Sequence, residues 1–454
     1  MEMIHEKERQ IPVHASVDVV VVGSGPSGLA AAIAAQRAGA ETMLIERYGC
    51  FGGVISQVGV EGFAWYRHEG TIEAGGLVPE FENMSIRVGG ANPECQSTSQ
   101  ALDAEMFKYA ADIMIEESGV RPLLHSVAVD VVMDGDKITG VIVENKSGRM
   151  AIMAKRVIDC TGDADIVALS GAPFTKAPKN ELMNVTTMFH CKGVDTEKFN
   201  DYVKNDLKPT YADWGGYWEI QTDGKEDDMF SPYFERPFVE AVEEGVVPKE
   251  KDVCLGGTWS SVTQYGEVTQ LNVVFVGNVD CTDVEDLTRA EIVGRRNALR
   301  SIECLRKKVP GFENAQLRNF GMTLGTRESR KVDGMYRLSK EDVMNQGRFE
   351  DSVGIFPEFI DGIGYMFLPT TGHYYQIPYG CLVPKKVDNL LVAGRCICTD
   401  KCGHASSRNM SCCVTTGQAC GIAAAVSIRD GVTTSKVDIA HVQEELTKQN
   451  VRFK

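Results

Sequence analysis

The hydrophobic positions change their period several times along the chain, and each change marks an element. Val17, Val19, Val20, Val21 and Val22 form a β-branched run of the kind that suits a buried parallel strand. The alanine-rich stretch Leu29 to Ala38 reads as a helix closed by Gly39, and Thr42 to Ile45 as a second strand. Leu102, Met106, Tyr109, Ala110, Ile113 and Met114 recur at helical spacing, which predicts a helix over Leu102 to Glu117. Strict alternation then takes over in His125 to Met133, Ile138 to Glu144 and Met150 to Ala154. With Asp134-Gly135-Asp136 and Lys146-Ser147-Gly148 as turns, these three strands predict a β-meander. A further apolar strand, beginning at Arg156, ends in Asp159-Cys160-Thr161-Gly162-Asp163 and is expected to rejoin the main sheet.

Residues from about 171 to 320 differ in character. They hold Trp214, Trp218 and Trp259, a charge-rich loop over Asp223 to Asp228, and one long helical pattern over Glu285 to Lys307. Parallel-sheet grammar returns with Asn389 to Ala393, and Thr416 to Ala425 opens a small-residue helix that a cofactor or a sheet can approach closely. The pattern predicts an α/β protein with a Rossmann-like domain, a central parallel sheet plus meander, built from residues 14–170 and 375–435. An α+β cap over residues 171–374, facing the substrate, is inserted between them.

The chemistry sits where strand meets helix. Gly23-Ser24-Gly25-Pro26-Ser27-Gly28 joins the first strand to the first helix, and Glu46 stands at the end of the second strand. Glycines permit a tight turn and close backbone approach, the helix N-terminus faces a pyrophosphate, and the acid accepts ribose hydroxyls. In that context GxGxxG predicts a bound dinucleotide. No second unit of this kind follows, so a separate NAD(P)H domain is not expected.

Composition narrows the picture without redirecting it. A chain of 454 residues with 43% hydrophobic and 24% charged positions has ordinary globular make-up. Its net charge of −16 argues against nucleic-acid or anionic-membrane partners. Met1 to Ser16 carries Glu2, Glu6, Lys7, Glu8 and Arg9 without an apolar core, and the runs Val17–Val22 and Gly421–Val426 are too short to span a bilayer. A cytoplasmic location is expected, with a homodimer as one possible assembly. The 14 cysteines follow no disulfide framework, and Cys396, Cys398, Cys402, Cys412, Cys413 and Cys420 match no metal or iron–sulfur spacing. No metal site is expected.

Several motifs together resemble the FAD-dependent oxidoreductases of the glutathione-reductase-like superfamily, near fumarate-reductase-type and heterodisulfide-reductase-type flavoproteins. They are Gly23, Gly25, Gly28 and Glu46; the glycine pair Gly52-Gly53; Val157 to Asp165; Gly325 to Arg330 with Gly334 and Tyr336; Ile377-Pro378-Tyr379; Asp388 to Cys396; and Gly417 to Gly421. The resemblance implies FAD as cofactor and a redox activity. The chain departs from it at Gly380, where an arginine is usual, and at Lys401, near the place of a frequent histidine that here stands at His404.

The expected cofactor-binding residues are Gly23, Gly25, Pro26, Ser27, Gly28, Glu46, Arg47, Gly52, Gly53, Val127, Thr161, Gly162, Asp163, Gly394, Arg395, Gly417 and Gln418. Candidates for the reaction itself come from loops flanking cofactor strands: His373, Tyr374, His404 and Arg327, with Lys401, Arg408, Glu328 and Arg330 nearby. Arginines there could clamp a substrate carboxylate or cofactor phosphates, or simply form structural ion pairs. Cys50 is either a packed thiol or a thiol near the ring, and Trp65-Tyr66-Arg67-His68 either walls the pocket or lies at the surface. The leading functional expectation is hydride transfer between a small organic metabolite, at a CH–OH or CH–CH/C=C group, and flavin N5. The alternative is a flavin subunit that relays electrons within a multiprotein complex. An RNA-modifying flavoprotein is disfavoured by the charge.

Overall fold

The computed structural model describes residues 3–63, 72–93, 99–211, 219–221, 230–357, 359–362, 365–367 and 372–454. Trp65 to His68, Trp214, Trp218 and the Asp223 to Asp228 loop lie outside them. The β-branched run is the core of strand β1 (Val13–Val22), which is fully parallel to β2 (Thr42–Ile45) with Val20 opposite Met43. Between them helix α1 (Pro26–Arg37) crosses one face of the sheet, buried along most of its length. Helix α2 (Ala104–Ser118) covers the same region. It starts two residues later than its spacing predicts, because Leu102 closes a short strand and Asp103 caps the helix by accepting from the Glu105 and Met106 amides.

Strand β3 (Arg121–Leu123) adds to β2, and the meander follows as β4 (Val127–Asp134), β5 (Lys137–Asn145) and β6 (Gly148–Asp159). The last is one unbroken strand of 12 residues, where the sequence pattern reads two. Its first half pairs antiparallel with β5 and its end parallel with the strand Leu390–Val392, while its other edge runs parallel to β1 from Ala151 to Asp159. Meander and parallel sheet are therefore one sheet, ordered β3-β2-β1-β6-β5-β4.

The cap has its own antiparallel sheet. Strands β7 (Phe189–Lys192), β8 (Tyr233–Phe234), β9 (Val253–Thr258), β10 (Glu267–Val276) and β11 (Gln316–Phe320) lie in the order β8-β9-β10-β7-β11, covered by the long helix α3 (Val284–Lys308). Its core is aromatic, with ring centroids 4.4 Å apart for Phe234 and Trp259 and 5.1 Å apart for Phe199 and Phe312. Trp259 is thus a packing residue of the cap rather than a substrate-facing one.

The C-terminal block contributes α4 (Lys401–Ser407) and α5 (Met410–Arg429). Helix α5 begins six residues before the small-residue run that announces it, so its 20 residues are long and apolar enough to cross a bilayer by length and composition. Here it is a core helix, buried against α1. The two backbones touch through small residues. A Cβ on Gly417 would sit 2.0 Å from the Ser27 carbonyl oxygen, and one on Gly421 2.2 Å from that of Ala31. Replacing Gly421 with leucine is expected to prise the helices apart. It should destabilise the protein by about 1–3 kcal/mol or more, read as a lower Tm of the variant, whereas Arg429→Ala at the exposed end of α5 should melt as the parent does.

Candidate functional site

A cavity of about 1130 Å³ opens between the main sheet and the cap sheet. At the main-sheet end its floor is the turn after β1. Gly23 has φ +93° and stands so close to β6 that a Cβ would lie 2.5 Å from the Cys160 carbonyl oxygen. Only glycine fits there. Helix α1 starts at Pro26 after Gly25, with neither a capping side chain nor an acid in its first turn, so its first amides remain open to an anion. A Cβ on Gly53 would lie 2.5 Å from the Gly25 Cα, so the second glycine loop abuts the first.

Glu46 is buried at the end of β2. Its Oε2 accepts the Ser24 amide at 2.9 Å and the Ser24 hydroxyl at 2.6 Å, and its Oε1 accepts the Tyr48 amide at 2.9 Å. Ser24 fills both lone-pair sites of Oε2, and Oε1 keeps a second one for a ribose hydroxyl. Asp159, raised to about 6 by burial, receives the Thr161 amide and hydroxyl and so fixes the turn that follows β6. Arg395 lies across that turn; a Cβ on Gly162 would meet its Nη2 at 2.4 Å. Nη2 reaches Asp163 Oδ1 at 3.2 Å, while Nη1 is buried without a hydrogen-bond partner among the described residues. Burial works against the Arg395 charge, but Asp163, Cys396 and Cys281 together hold the guanidinium above its ordinary value. Open helix amides, an arginine with an unused buried donor, and glycines that leave no room for side chains suit a pyrophosphate-linked dinucleotide.

Of the expected cofactor residues, Gly23, Gly25, Pro26, Ser27, Glu46, Arg47, Gly53, Val127, Thr161, Gly162, Asp163 and Arg395 line this cavity. Five others do not. Gly28 closes α1 onto the turn, since a Cβ there would lie 1.7 Å from the Gly23 carbonyl oxygen. Gly52 donates its amide to the Ser24 carbonyl from behind, and Gly394 packs on Ser27. Gly417 belongs to the α1–α5 contact, and Gln418 turns the other way, accepting the Leu77 amide and donating to Gln449. A small-residue helix signals close approach, and here what approaches is another helix.

The reaction candidates separate too. Arg327 lines the cavity, as do Lys401 and Arg408. His404 is buried beneath Arg327, its Nε2 3.0 Å from the Arg327 carbonyl oxygen. A carbonyl only accepts, so Nε2 carries the proton. Burial, then the charges of Lys331 and Arg408, push His404 well below its ordinary value. It is a neutral support for Arg327 rather than a cavity group. Tyr374 faces elsewhere, its ring 4.0 Å from the Arg348 guanidinium and 5.9 Å from that of Arg452, and His373 precedes it outside the cavity lining. Glu328 pairs with Lys331 at 2.5 Å and Arg330 with Asp165 at 2.8 Å, both structural. Cys50 is half-buried off the lining and raised by burial, which fits a packed thiol. The C-terminal cysteines point at backbone carbonyls, Cys413 at Arg408 and Cys420 at Val392, with burial raising both thiols.

At the cap end the lining includes Thr186, Met188, Gln270, Asn272 and Phe275, none of which the sequence motifs mark. Gln270, in a left-handed conformation at φ +47°, accepts the amides of Glu61 and Gly62 and ties the cap to the main domain. Behind it are two buried ionisable groups. Nδ1 of His190, on β7, lies 3.8 Å from Oε1 of Glu61, beyond hydrogen-bond reach, and among the described residues neither histidine nitrogen has a hydrogen-bond partner. Burial raises Glu61 to about 8 and lowers His190 to about 4, so both are neutral near pH 7. Isolated acids and histidines carry no motif, and only the fold brings these two together.

This pair predicts a pH dependence of stability. The folded chain keeps a proton on Glu61 that the unfolded chain loses above its ordinary value of 4.5, so stability falls as pH rises from there to about 8. The slope is roughly 1.4 kcal/mol per pH unit. His190 acts oppositely: its contribution is present above 6.5 and is lost as pH falls towards about 4. Glu61→Gln removes the alkaline loss, so its Tm relative to the parent should climb from about pH 5 to about pH 8. A constant difference across that range in thermal melts would contradict the assignment.

A family model described as FAD dependent oxidoreductase matches residues 18–446. Among curated proteins, the thiamine thiazole synthase of Metallosphaera sedula is 32% identical over 165 residues, covering 34% of this chain and 57% of that protein. The thiamine thiazole synthase of Saccharolobus solfataricus is 32% identical over 167 residues, covering 34% and 58%. The chain thus spans little more than half the length of these relatives. Among solved structures, a geranylgeranyl bacteriochlorophyll reductase-like protein from Thermoplasma acidophilum has 12% identity and a TM-score of 0.49, covering 97% of this chain and 85% of that one. The family match runs through both chain ends that build the cradle and through the cap between them, so the chain belongs to the FAD dependent oxidoreductase family, is a flavin-dependent enzyme and takes FAD as its cofactor.

Proposed function

We propose that this enzyme transfers a hydride between FAD and a small organic metabolite that enters at the cap end of the cavity and presents a CH–OH or CH–CH/C=C group. The observation that carries this reading is the single cavity shared by the nucleotide cradle and the cap sheet. At about 1130 Å³ it exceeds the roughly 300–1,000 Å³ of an ordinary ligand pocket, leaving room for a substrate beside the cofactor. FAD, when bound, supplies a two-electron donor or acceptor. The chain's own residues do the rest. The open amides of α1 and the spare donor of Arg395 bind the anionic part of the cofactor, and Ser24 holds Glu46 for the ribose. Phe275, Met188 and Leu324 give the cap end apolar walls that exclude water around the reacting groups. The similarity to thiamine thiazole synthases covers a third of the chain and brings no reaction with it.

Anaerobic stopped-flow on the holoenzyme tests the proposal. Dithionite-reduced enzyme should regain its flavin absorbance on mixing with enoates or keto compounds, or the oxidised enzyme should bleach with the corresponding alcohols. Flavin that ignores every small molecule yet exchanges electrons with protein carriers would replace hydride transfer by electron relay.

A further inference from the structure

At the cap end Arg327 is a cation without an ion-pair partner among the described residues. Arg327 stands in the segment Gly325–Arg330, whose backbone is fixed on three sides. Gly325 and Thr186 exchange hydrogen bonds of 2.7 and 3.1 Å, His404 supports the Arg327 carbonyl at 3.0 Å, and the Ser329 hydroxyl donates to Asp163 at 2.6 Å. The guanidinium itself lies over the Phe275 ring, 4.8 Å from its centroid, and makes no hydrogen bond or ion pair among the described residues. Stacking of this kind occupies the flat face of a guanidinium and leaves its in-plane donors available. The carboxylate that acts on it, Asp361, is already held by Arg408, whose Nη2 donates to the Asp361 carbonyl at 2.9 Å and to its Oδ2 at 3.0 Å. Two guanidiniums therefore share one carboxylate and leave a net positive charge facing the cavity.

Burial, reinforced by Arg408, lowers Arg327 only to about 10, so it stays cationic at neutral pH. A fixed, half-buried cation with unused donors on a rigid backbone is poorly solvated until an acceptor arrives, and a planar two-oxygen anion matches its fork. We infer that Arg327, with Arg408 beside it, is the receptor for a carboxylate group of the substrate, which makes the enzyme's substrate class organic acids. This rests on the proposed hydride transfer for the word substrate, but the binding site stands on its own geometry.

Equilibrium binding to the oxidised holoenzyme tests the site without turnover. Benzoate and acetate are titrated against their neutral isosteres benzamide and acetamide, with the flavin absorbance and fluorescence as readout. At least one acid should bind about tenfold or more tightly than its amide, and Arg327→Met should abolish that preference while keeping its FAD; Arg327→Lys should retain part of it. Equal binding of acid and amide, or binding of neither acid, would overturn the inference, and these two outcomes need no variant. Loss of FAD from Arg327→Met together with intact acid preference in Arg327→Lys supports it. Loss of FAD affinity in both variants would mean that the guanidinium serves the cofactor instead, and overturns it. If acids bind but never exchange electrons with the flavin, hydride transfer fails and the carboxylate site survives.

Discussion

The contact between α1 and α5 is the constraint from which the rest of the site follows. Two helices from opposite ends of the chain meet backbone to backbone because Gly417 and Gly421 face Ser27 and Ala31 with no Cβ between them. The same contact seats Gly394 on the Ser27 hydroxyl, which brings Arg395 across the Gly162 turn and within reach of Asp163. The cradle is thus assembled from three separate stretches of chain, and each depends on the other two. Val20 and its neighbours supply the buried strand, but it is the small residues of α5 that set how near the C-terminal block can come.

Charge is distributed around the cavity with a clear division of labour. Arg395 is tied to Asp163, Arg330 to Asp165 and Lys331 to Glu328, so these cations stiffen the junction between cap and cradle. Junction groups that have no such partner are neutral: Glu61 keeps its proton and His190 and His404 do without one. Arg327 differs from both groups, a charge held in place by a neutral histidine and an aromatic ring.

Much of the cradle was legible in the sequence because its requirements are local. A tight turn needs glycine, a ribose needs an acid after the second strand, and both are fixed by a few consecutive residues. The strands and the long helices followed from periodicity for the same reason, with errors at the ends where Asp103 caps a helix or where β6 runs on through Lys155 without a break. Apart from Arg327, the cap end was not legible, because its residues are distant in sequence and ordinary in type. Met188, Gln270 and Asn272 become neighbours only through antiparallel register, and His373 and His404 looked alike as loop histidines although one lies outside the cavity lining and the other supports its arginine. Gly417 and Gln418 misled for a different reason: a motif reports close approach without saying what approaches.

The unbroken strand β6 has a consequence for how this architecture can diversify. Because one continuous ribbon joins the meander to the parallel sheet, neither can shift against the other, and the nucleotide-holding half behaves as a rigid chassis. The cap sheet has a separate hydrophobic interior, and hydrogen bonds made by Ser329, Arg330 and Gln270 join the segments around it to that chassis. Recombination that swaps the cap while preserving those hydrogen bonds would leave cofactor retention intact and change which molecules are admitted, a route to new chemistry that leaves the ancestral scaffold untouched.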